Sequence, residues 1–323
     1  MIYFSLPDEK TRRLSFYLAM EEYVAREKPW EDAFTMWQVE PSVIFGRNQV
    51  VEAEVNIDYC RRNNIQMYRR KSGGGCVYAD MSNVMFAYIT SEDNVNFTYN
   101  RYINMVVTVL RKMGVEATSS GRNDILIDGR KVSGNAFYHL PGRSIVHGTM
   151  LYDTNMQHMV ASITPSDDKL VSKGIQSVRQ RIAFLKDYTS LSINEMKSFV
   201  KENLCTEEVM LTADDVRNIE ELEQEYLDPN FIFGTNPLYS VVRKRRLEGV
   251  GELELRMEVK GNRVRHLNLL GDFFVIGDLN RLLQRIQGCE LTEAALSQAI
   301  PDNIDTIIRG LHKQQLIDLL VNR

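Results

Sequence analysis

The segment from Arg69 to Asp80 places basic residues directly beside three successive glycines, in the sequence RRKSGGGCVYAD. Glycines leave the backbone N–H groups unobstructed, and a neighbouring arginine can bind an oxyanion through two parallel hydrogen bonds. The pattern therefore predicts an anion cradle built from the backbone, for phosphate or carboxylate. It matches neither a P-loop, which requires Gly-Lys-Ser/Thr, nor the G-x-G-x-x-G turn of dinucleotide-binding domains. Without the basic residues, the glycines would equally suit a flexible surface loop or hairpin.

A second group of candidates lies around the next predicted hairpin. Asn123 and Asp124 precede a strand, and their amide and carboxylate oxygens suit Mg²⁺ and phosphate. Lys131 stands on the returning strand, where its point charge can reach both a carboxylate and a phosphate. Gly134 and Ala136 are small enough to leave room for a ligand chain. The alternative is an ordinary Asn-Asp turn and a solvated lysine, which is the simpler interpretation of Lys131 taken alone.

A third candidate is the polar and basic loop from Ile163 to Arg179, which contains Pro165 and Gly174. Few apolar residues anchor this loop, which is typical of a mobile lid over a site. A solvated connection would have the same composition, so both interpretations stay open.

Composition excludes several classes of protein. The 323 residues include 39 Lys and Arg against 43 Asp and Glu, which gives a net charge of −4 and argues against a strongly basic nucleic-acid binder and a polyacidic disordered tail. A hydrophobic content of 44% can build a full core, and the length suggests about two domains of ~150 residues each. The four cysteines are widely separated, so we expect neither a zinc site nor a disulfide framework, but free thiols of a reducing compartment.

The location of the protein can also be predicted. No stretch approaches the roughly 20 apolar residues that span a bilayer, so we expect no membrane association. The first residues look like a strand. They lack the basic region followed by an apolar region that is typical of a secretory leader. We therefore expect a cytoplasmic protein, with an organellar matrix as the alternative if a transit peptide was removed.

The elements that must position these residues follow from hydrophobic periodicity and turn signals. Tyr99 to Met113 places apolar residues on one helical face, and Asp128-Gly129 predicts a two-residue hairpin turn. Capping boxes at Ser192 and Thr212 open two helices, the second of them acidic. Strands are predicted at Phe34 to Val39, Ser42 to Phe45, Gln66 to Arg69 and Val84 to Thr90.

The last part of the chain predicts a separate, smaller α+β domain. Alternating residues from Leu253 to Val259, a turn at Gly261-Asn262 and a return from Val264 to Val275 indicate a hairpin with one wet face. Helices are predicted at Gly277 to Ile286, Thr292 to Ala299 and Asp305 to Leu320. We divide the chain near Leu247, into domains 1–246 and 247–323, with the basic run Arg243 to Arg246 as a solvated linker that could meet an acidic partner.

In this order, the motifs resemble those of the lipoate-protein ligase A family over nearly the whole chain. The matching segments are RRxSGGGxV[FY]xD at Arg69 to Asp80, GRND at Gly121 to Asp124, RKVSG at Arg130 to Gly134, HGT at His147 to Thr149 and KGIxSVR at Lys173 to Arg179. The tail is similar to the accessory domain of the long ligases. The resemblance implies an α+β fold: a mixed-sheet catalytic domain like that of biotin and lipoate ligases, and a smaller α+β C-terminal accessory domain.

The resemblance also implies an activity in two half-reactions. Lipoate, or octanoate, and Mg²⁺-ATP would form lipoyl-adenylate and pyrophosphate. A lysine of an apo lipoyl domain, from a 2-oxoacid dehydrogenase E2 subunit or the glycine cleavage H protein, would then attack and release AMP. The expected cofactors are ATP and Mg²⁺, and the expected state is a monomer that binds no nucleic acid.

Carried over by motif position, the resemblance assigns roles to individual residues. Adenylate contacts would come from Arg70, Gly75, Cys76, Val77, Tyr78, Asn123, Asp124 and Lys131. Lipoate contacts would come from Arg70, Gly74, Lys131, Ser133, Gly134, Ala136, Gly148 and Thr149. Lys131 would be the catalytic residue that bridges lipoate carboxylate and α-phosphate, and Asp124 would hold Mg²⁺. The loop with Lys173 and Gly174 would close over the adenylate and exclude water.

Two features of the sequence leave alternatives open. The family usually has His where this chain has Ala79, so a weakened or specialised ligase, or an adenylate-binding relative without activity, is conceivable. The second alternative is a lipoyl or octanoyl transferase, whose nucleophilic cysteine would lie in the segment from Val115 to Gly121. That segment contains no cysteine, and Cys76 is the only thiol near the predicted site. We interpret Cys76 as a buried thiol and His147 as a core-strand histidine with a satisfied hydrogen bond.

Overall fold

The structure is a computed structural model that describes residues 1–92, 94–120, 123–163, 178–234 and 241–321. Its strands are β1 (Ile2–Ser5), β2 (Asp32–Trp37), β3 (Ser42–Phe45), β4 (Gln66–Arg69), β5 (Val77–Ala79), β6 (Asn83–Thr90), β7 (Ala117–Ser119), β8 (Asp124–Ile127), β9 (Arg130–Leu140), β10 (Arg143–Leu151), β11 (Glu207–Met210), β12 (Val241–Leu247), β13 (Gly251–Lys260) and β14 (Arg263–Gly271). Its α-helices are α1 (Leu14–Glu27), α2 (Val51–Glu54), α3 (Ile57–Arg62), α4 (Val95–Lys112), α5 (Met156–Ile163), α6 (Ile193–Leu204), α7 (Ala213–Leu227), α8 (Pro229–Phe233), α9 (Leu279–Ile286), α10 (Glu293–Ala299) and α11 (Lys313–Val321).

A mixed sheet of eight strands is the largest element of the fold. Its order is β11-β1-β2-β6-β10-β9-β8-β7. The strand β1 pairs in parallel with both β11 and β2, whereas the remaining neighbours are antiparallel. The helices α1 and α7 cover one face with a core that includes Trp37 and Met85, and α4 and α6 cover the other with a core that includes Phe86 and Val106.

Two smaller sheets complete the architecture. Strands β4-β3-β5 form a three-stranded sheet that shares a core with α2, α3, α5 and α8. Strands β12-β13-β14 form an antiparallel meander that packs on α9, α10 and α11 around its own core. The structure confirms the predicted α+β class, with a mixed sheet followed by a small sheet-and-helix unit. The division of the chain at residue 247 stays a prediction.

Locally determined features agree with the sequence. The strands Ser42–Phe45 and Gln66–Arg69 have the predicted bounds, and both capping boxes, at Ser192 and Thr212, are present. Both predicted hairpin turns use left-handed backbone: φ is 50° and 71° at Asp128-Gly129, and 58° and 57° at Gly261-Asn262.

Two predictions about the C-terminal part are wrong. The basic run Arg243 to Arg246 is not a linker but lies in β12, paired with β13, because Lys244 pairs with Glu252 and Arg243 donates to carbonyls at the end of α11. The predicted helix from 305 to 320 is only a single 3₁₀ turn before Gly310, where a φ of 76° ends helical geometry, and α11 begins at Lys313. Within the described ranges, no helix has the length and apolar character that a membrane crossing requires.

One buried carboxylate joins α1 and α7, the two helices on one face of the large sheet. Asp215, 6% exposed, begins α7 and accepts hydrogen bonds from Tyr23 Oη at 2.6 Å, Lys28 Nζ at 2.8 Å and the Thr212 backbone at 2.9 Å. Burial alone would raise its pKa, but these donors hold the pKa of Asp215 below its usual range. The same group thus caps α7 and fixes it to α1.

We predict that Asp215→Asn lowers the free energy of unfolding by about 1–3 kcal/mol at pH 7, because buried donors lose a charged acceptor. A carboxylate whose pKa is lower in the folded state than its unfolded value of about 3.9 stabilises the fold above that pH. This contribution is lost as the pH falls from that value toward the folded-state pKa. Urea denaturation should therefore show the difference from wild type shrinking below about pH 4. The control is Asp214→Asn, an exposed neighbour paired with Arg217, with an effect under about 1 kcal/mol. A pH-independent difference would contradict the assignment.

Candidate active site

A cavity of about 110 Å³ lies between the large sheet, the β3–β5 sheet and the C-terminal domain. Strands β9 and β10 form one wall, and the glycine segment after β4 forms another. The cavity therefore contains both motifs that the sequence singled out. Its lining residues are Leu18, Ile44, Arg70, Gly74, Gly75, Cys76, Val77, Met85, Asn123, Lys131, Gly134, Asn135, Ala136, His147, Gly148, Thr149 and Phe274.

The glycine segment is held in shape by Arg70, which is 5% exposed. Its guanidinium donates to the carbonyl of Gly73 at 2.6 Å, of Gly75 at 2.8 Å and of Ile44 at 3.1 Å. Burial lowers the pKa of Arg70 to about 10, so the group stays charged at neutral pH. The loop is thus built around a fixed cation whose hydrogen bonds close it from within. A direct contact between Arg70 and a substrate anion stays a prediction.

Glycine is required where this loop meets its neighbours. A Cβ at Gly46 would overlap the carbonyl of Gly74, and Gly74 itself has a φ of 87°. A Cβ at Gly75, in contrast, would meet nothing within 4 Å. Gly75 therefore presents open backbone to the cavity, as an anion cradle requires.

Asn135 is the polar centre of the opposite wall, and sequence reasoning missed it. The residue is 3% exposed, its Nδ2 donates to the carbonyl of Asn123 at 2.9 Å, and its own carbonyl accepts from Asn123 Nδ2 at 3.1 Å. Ser133 Oγ donates to Asn135 Oδ1 at 3.2 Å. A Cβ at Gly148, directly across in β10, would overlap the Asn135 side chain. The signal available in the sequence was its position inside Ser-Gly-Asn-Ala, between predicted site residues.

Lys131 stands at the rim of the cavity as an ion pair. Its Nζ lies 2.8 Å from Asp124 Oδ1, and both side chains are partly exposed. The Lys131 backbone donates to the carbonyl of Arg181 and accepts from Ala183, both at 2.8 Å. Gly134 makes room for the side chain, because a Cβ there would lie 2.5 Å from Lys131 Cε and 2.6 Å from Nζ. The backbone and the neighbouring glycine thus fix where the lysine charge sits.

A buried chain of hydrogen bonds runs from the core into the glycine loop. Glu21 Oε2 lies 2.6 Å from His147 Nδ1, and His147 Nε2 lies 2.7 Å from Ser72 Oγ. Trp37 Nε1 donates to the other carboxylate oxygen of Glu21 at 2.9 Å. The sequence predicted a satisfied core histidine at His147 and missed its partner Glu21, which comes 126 residues earlier. Since Ser72 directly precedes the glycines, this chain fixes the start of the cradle.

The C-terminal domain closes one side of the cavity. The carbonyl of Phe273 accepts from the Gly74 N–H at 3.3 Å, and the Gly271 N–H donates to the carbonyl of Asn48 at 2.7 Å. The Phe274 ring lies 3.2 Å from where a Cβ of Gly74 would be. Phe274 therefore lines the cavity, although no pattern in the sequence indicates that the accessory domain reaches it.

Most of the predicted site residues meet in this cavity. Asp124 and Ser133 are not among the described lining residues themselves. Asp124 contacts Lys131, and Ser133 contacts Asn135, both of which line the cavity. Tyr78 is buried, stacks with His158 and is not among the described residues that line the cavity, so its predicted adenylate contact stays a prediction. Lys173 and Gly174, like the first half of the GRND motif, lie outside the described residues. The binding roles themselves stay predictions.

Ala79, where the resemblance leads us to expect His, is 1% exposed and belongs to the apolar core beside α1. It pairs with Ser42 of β3 and is not among the described residues that line the cavity. The neighbouring Asp80 accepts from the backbone of Ser82 at 2.9 Å and of Asn155 at 3.1 Å. The side chain at this position therefore belongs to the core behind the site.

Cys76 lines the cavity as a neutral thiol. Removal from water raises its pKa, and the charge of Arg70 only partly opposes this. A nucleophilic cysteine needs the opposite shift, toward the thiolate at neutral pH.

Comparison with known proteins decides the family. The family model for the lipoyl protein ligase A/B catalytic domain matches residues 14–205, and that for the bacterial lipoate protein ligase C-terminus matches residues 236–320. The chain belongs to the lipoate-protein ligase family. It is 32% identical to lipoate-protein ligase LplJ of Bacillus subtilis, over 94% of this chain and 95% of that protein. It is 35% identical to lipoate–protein ligase 1 of Staphylococcus aureus, over 87% and 89% of the two chains.

Solved structures of lipoate ligases have a similar fold. The bipartite ligase of Thermoplasma acidophilum, described with its E2 lipoyl domain, has a TM-score of 0.66 at 26% identity and covers 74% of this chain and 98% of its own. A lipoate-protein ligase A bound with ATP has a TM-score of 0.62 at 25% identity, covering 72% and 98%. LipL1 of P. falciparum, in complex with lipoate, has a TM-score of 0.77 at 18% identity, covering 100% and 98%, and shows a similar fold alone.

The contact between Gly134 and Lys131 gives a test of the lipoate ligase site. We predict that Gly134→Ala displaces the Lys131 side chain, breaks its pair with Asp124 and lowers ligation about 10- to 100-fold, as misplacement of a catalytic group does. The fold should be retained, because the clash is with the end of a flexible chain. In a Lys131→Ala background the same substitution should have no further effect. Equal losses in both backgrounds would show that Gly134 acts on something other than Lys131.

Proposed function

We propose that the protein is an ATP-dependent lipoate-protein ligase that forms lipoyl-adenylate and passes the lipoyl group to a lysine of an acceptor lipoyl domain. The observation that carries the proposal is Lys131 Nζ at the wall of the same cavity as the backbone cradle, 2.8 Å from Asp124. Adenylation joins two anions, so it needs a fixed cation and oriented N–H donors together. Lys131 would supply the cation, and the N–H groups of the glycine segment would supply the donors.

In the first half-reaction a lipoate carboxylate oxygen attacks the α-phosphorus of ATP. The bond from that phosphorus to the bridging oxygen breaks, and its electron pair leaves with pyrophosphate. Lys131 would lie between the carboxylate and the α-phosphate and lower the repulsion between them. The N–H groups around Gly75 would hold the acyl or phosphate oxygens, since the space that a side chain of Gly75 would fill is open.

The residues present also suit Mg²⁺. Among the described side chains no three His, Cys, Asp or Glu groups form a metal cluster, and Asp124 is the carboxylate at the rim. This fits an ion that keeps several waters and binds through one or two carboxylates and substrate phosphates. Asp124 would hold Mg²⁺, which when bound would supply further positive charge to the phosphates. Asn123 would help to position the nucleotide.

In the second half-reaction the neutral amine of the acceptor lysine attacks the acyl carbon. The mixed anhydride C–O bond breaks, AMP leaves, and the amine proton goes to solvent. The adenylate would occupy the cavity lined by the glycine segment and Lys131. Phe274, contributed by the C-terminal domain, closes it on one side. The loop with Lys173 and Gly174 is proposed to cover the adenylate and keep water away.

Partners and setting follow from the family. The acceptors would be lipoyl domains of 2-oxoacid dehydrogenase E2 subunits or the glycine cleavage H protein, and the acid would be lipoate or octanoate. We propose a cytoplasmic monomer. All four cysteines are free, which agrees with a reducing compartment.

We predict that the purified chain, incubated with lipoate, Mg²⁺-ATP and an apo lipoyl domain, adds one lipoyl group to the acceptor, measured by intact mass. The reaction should require ATP, and Lys131→Ala should slow it by about 10²-fold or more, as loss of a charge that stabilises the transition state does. The control is Lys186→Ala, which removes a surface lysine paired with Asp153 at 2.6 Å. Modification without ATP, or none even from supplied lipoyl-AMP, would contradict the proposal.

We predict that Cys76→Ser retains ligation, because a protonated thiol that lines a pocket contributes shape and not chemistry. The rate of acceptor modification should stay within about tenfold of wild type, in line with a small volume change in a packed site. Complete loss of activity, together with a lipoyl thioester trapped on wild-type Cys76, would instead favour the transferase.

A further inference from the structure

Arg309 of the C-terminal domain contacts Tyr99, whose hydroxyl is bonded to Asn135 in the wall of the site. The guanidinium carbon of Arg309 lies 5.1 Å from the ring centre of Tyr99, in α4 of the first domain. The Arg309 backbone donates to the carbonyl of Phe274 at 3.0 Å. Because Phe274 lines the cavity, Arg309 is fixed to the segment of the accessory domain that approaches the site most directly.

Tyr99 connects Arg309 to the candidate nucleotide residues. Its hydroxyl donates to the carbonyl of Asn135 at 3.3 Å, and that carbonyl also accepts from Asn123. Burial raises the pKa of Tyr99; the charge of Arg309 opposes the rise and that of Asp124 adds to it. Both charges are therefore close enough to act on one hydroxyl group. Through Tyr99, Arg309 is thus connected to Asn135 and Asn123, although its side chain is not among the described residues that line the cavity.

Among the described residues, the Arg309 guanidinium has neither the carboxylate partner of Lys131 nor the carbonyl acceptors of Arg70. In the described part of the chain, no carboxylate oxygen lies within 4.0 Å of its guanidinium nitrogens, whereas Lys131 is paired with Asp124. Arg70 donates to main-chain carbonyls. Arg309 is only half-buried, so its donors can still turn toward a ligand. No described acid pairs with its positive charge, and Tyr99 connects it to Asn135, which lines the site proposed to bind ATP.

We propose that Arg309 is a phosphate-binding residue for the adenylation step, which stabilises the departing pyrophosphate. This inference rests on the proposed ligase function. When the bond at the α-phosphorus breaks, negative charge grows on the β-phosphate oxygens, and a guanidinium can take up that charge through two parallel hydrogen bonds. The accessory domain would then supply one charged group to the reaction and not only a cover.

The two half-reactions separate this role from a structural one. Pyrophosphate is made in adenylation and is absent from transfer, so a phosphate-binding arginine matters only in the first step. A residue that merely held Phe274 in place would alter the KM for lipoate, because Phe274 lines the cavity. The split between the two steps, together with an unchanged KM for lipoate, therefore distinguishes the two roles.

The test uses Arg309→Gln and Arg309→Lys in the full chain. Pyrophosphate release with lipoate and Mg²⁺-ATP should fall about 10²-fold in Arg309→Gln, the usual effect of losing one transition-state donor, with the KM for lipoate unchanged. Transfer from supplied lipoyl-AMP to an apo lipoyl domain should be unchanged. Arg309→Lys, which keeps the charge but not the fork, should be intermediate. Arg281→Gln, an exposed arginine of the same domain, is the matched control.

The outcomes are distinct. Loss of both half-reactions together, or of neither, in a folded Arg309→Gln variant would overturn the inference and leave the ligase proposal intact. If Arg309→Gln does not fold, Arg309→Lys carries the test, and wild-type adenylation in that variant would overturn the inference. Failure of wild type in both half-reactions would instead contradict the proposed function itself.

Discussion

The site depends on a buried guanidinium that is satisfied by backbone. Arg70 is almost fully removed from water and donates to the carbonyls of Gly73, Gly75 and Ile44. An uncompensated buried charge would be strongly destabilising, so these carbonyls must stay where the guanidinium needs them. The requirement fixes the path of the chain through the glycines, which would otherwise be flexible. The cradle is held in one conformation because, among the described residues, the Arg70 guanidinium finds its hydrogen-bond acceptors in these carbonyls.

A second arginine extends the same principle. Arg69 donates to the carbonyls of Arg47 and Gln49, both at 2.8 Å, and to that of Phe231 at the same distance. It thereby ties the loop after β3 and the end of α8 to the glycine segment. The close approach of Gly46 to Gly74 follows from this arrangement, because carbonyls of the two loops accept hydrogen bonds from Arg69 and Arg70. The chain from Glu21 through His147 to Ser72 then fixes the cradle to the large sheet.

The sequence predicted the features whose cause is local. Turns at Asp128-Gly129 and Gly261-Asn262 formed because those residues accept positive φ, and the capping boxes formed because donor and acceptor lie three residues apart. The glycine segment and Lys131 were found because their residue types are unusual for ordinary loops and strands. Their arrival in one cavity could be expected only from the family resemblance.

What the sequence could not show depends on contacts between distant segments. Glu21 is one of three glutamates in the largely buried helix α1, and only the fold places it beside His147. Phe274 looks like a core residue of a small domain until that domain is seen against Gly74. Helix prediction failed before α11 because apolar spacing continued through Gly310, whose left-handed backbone outweighs the pattern.

The central claim is that this cavity holds an acyl-adenylate between the cradle and Lys131. A crystal structure of the chain with a non-hydrolysable lipoyl-adenylate analogue tests it most directly. The account predicts the phosphate, or its substitute, within hydrogen-bond distance of Lys131 Nζ and the acyl chain among Ile44, Met85 and the backbone of Gly75. An analogue bound outside the cavity, or bound inside it without contact to Lys131, would contradict the account.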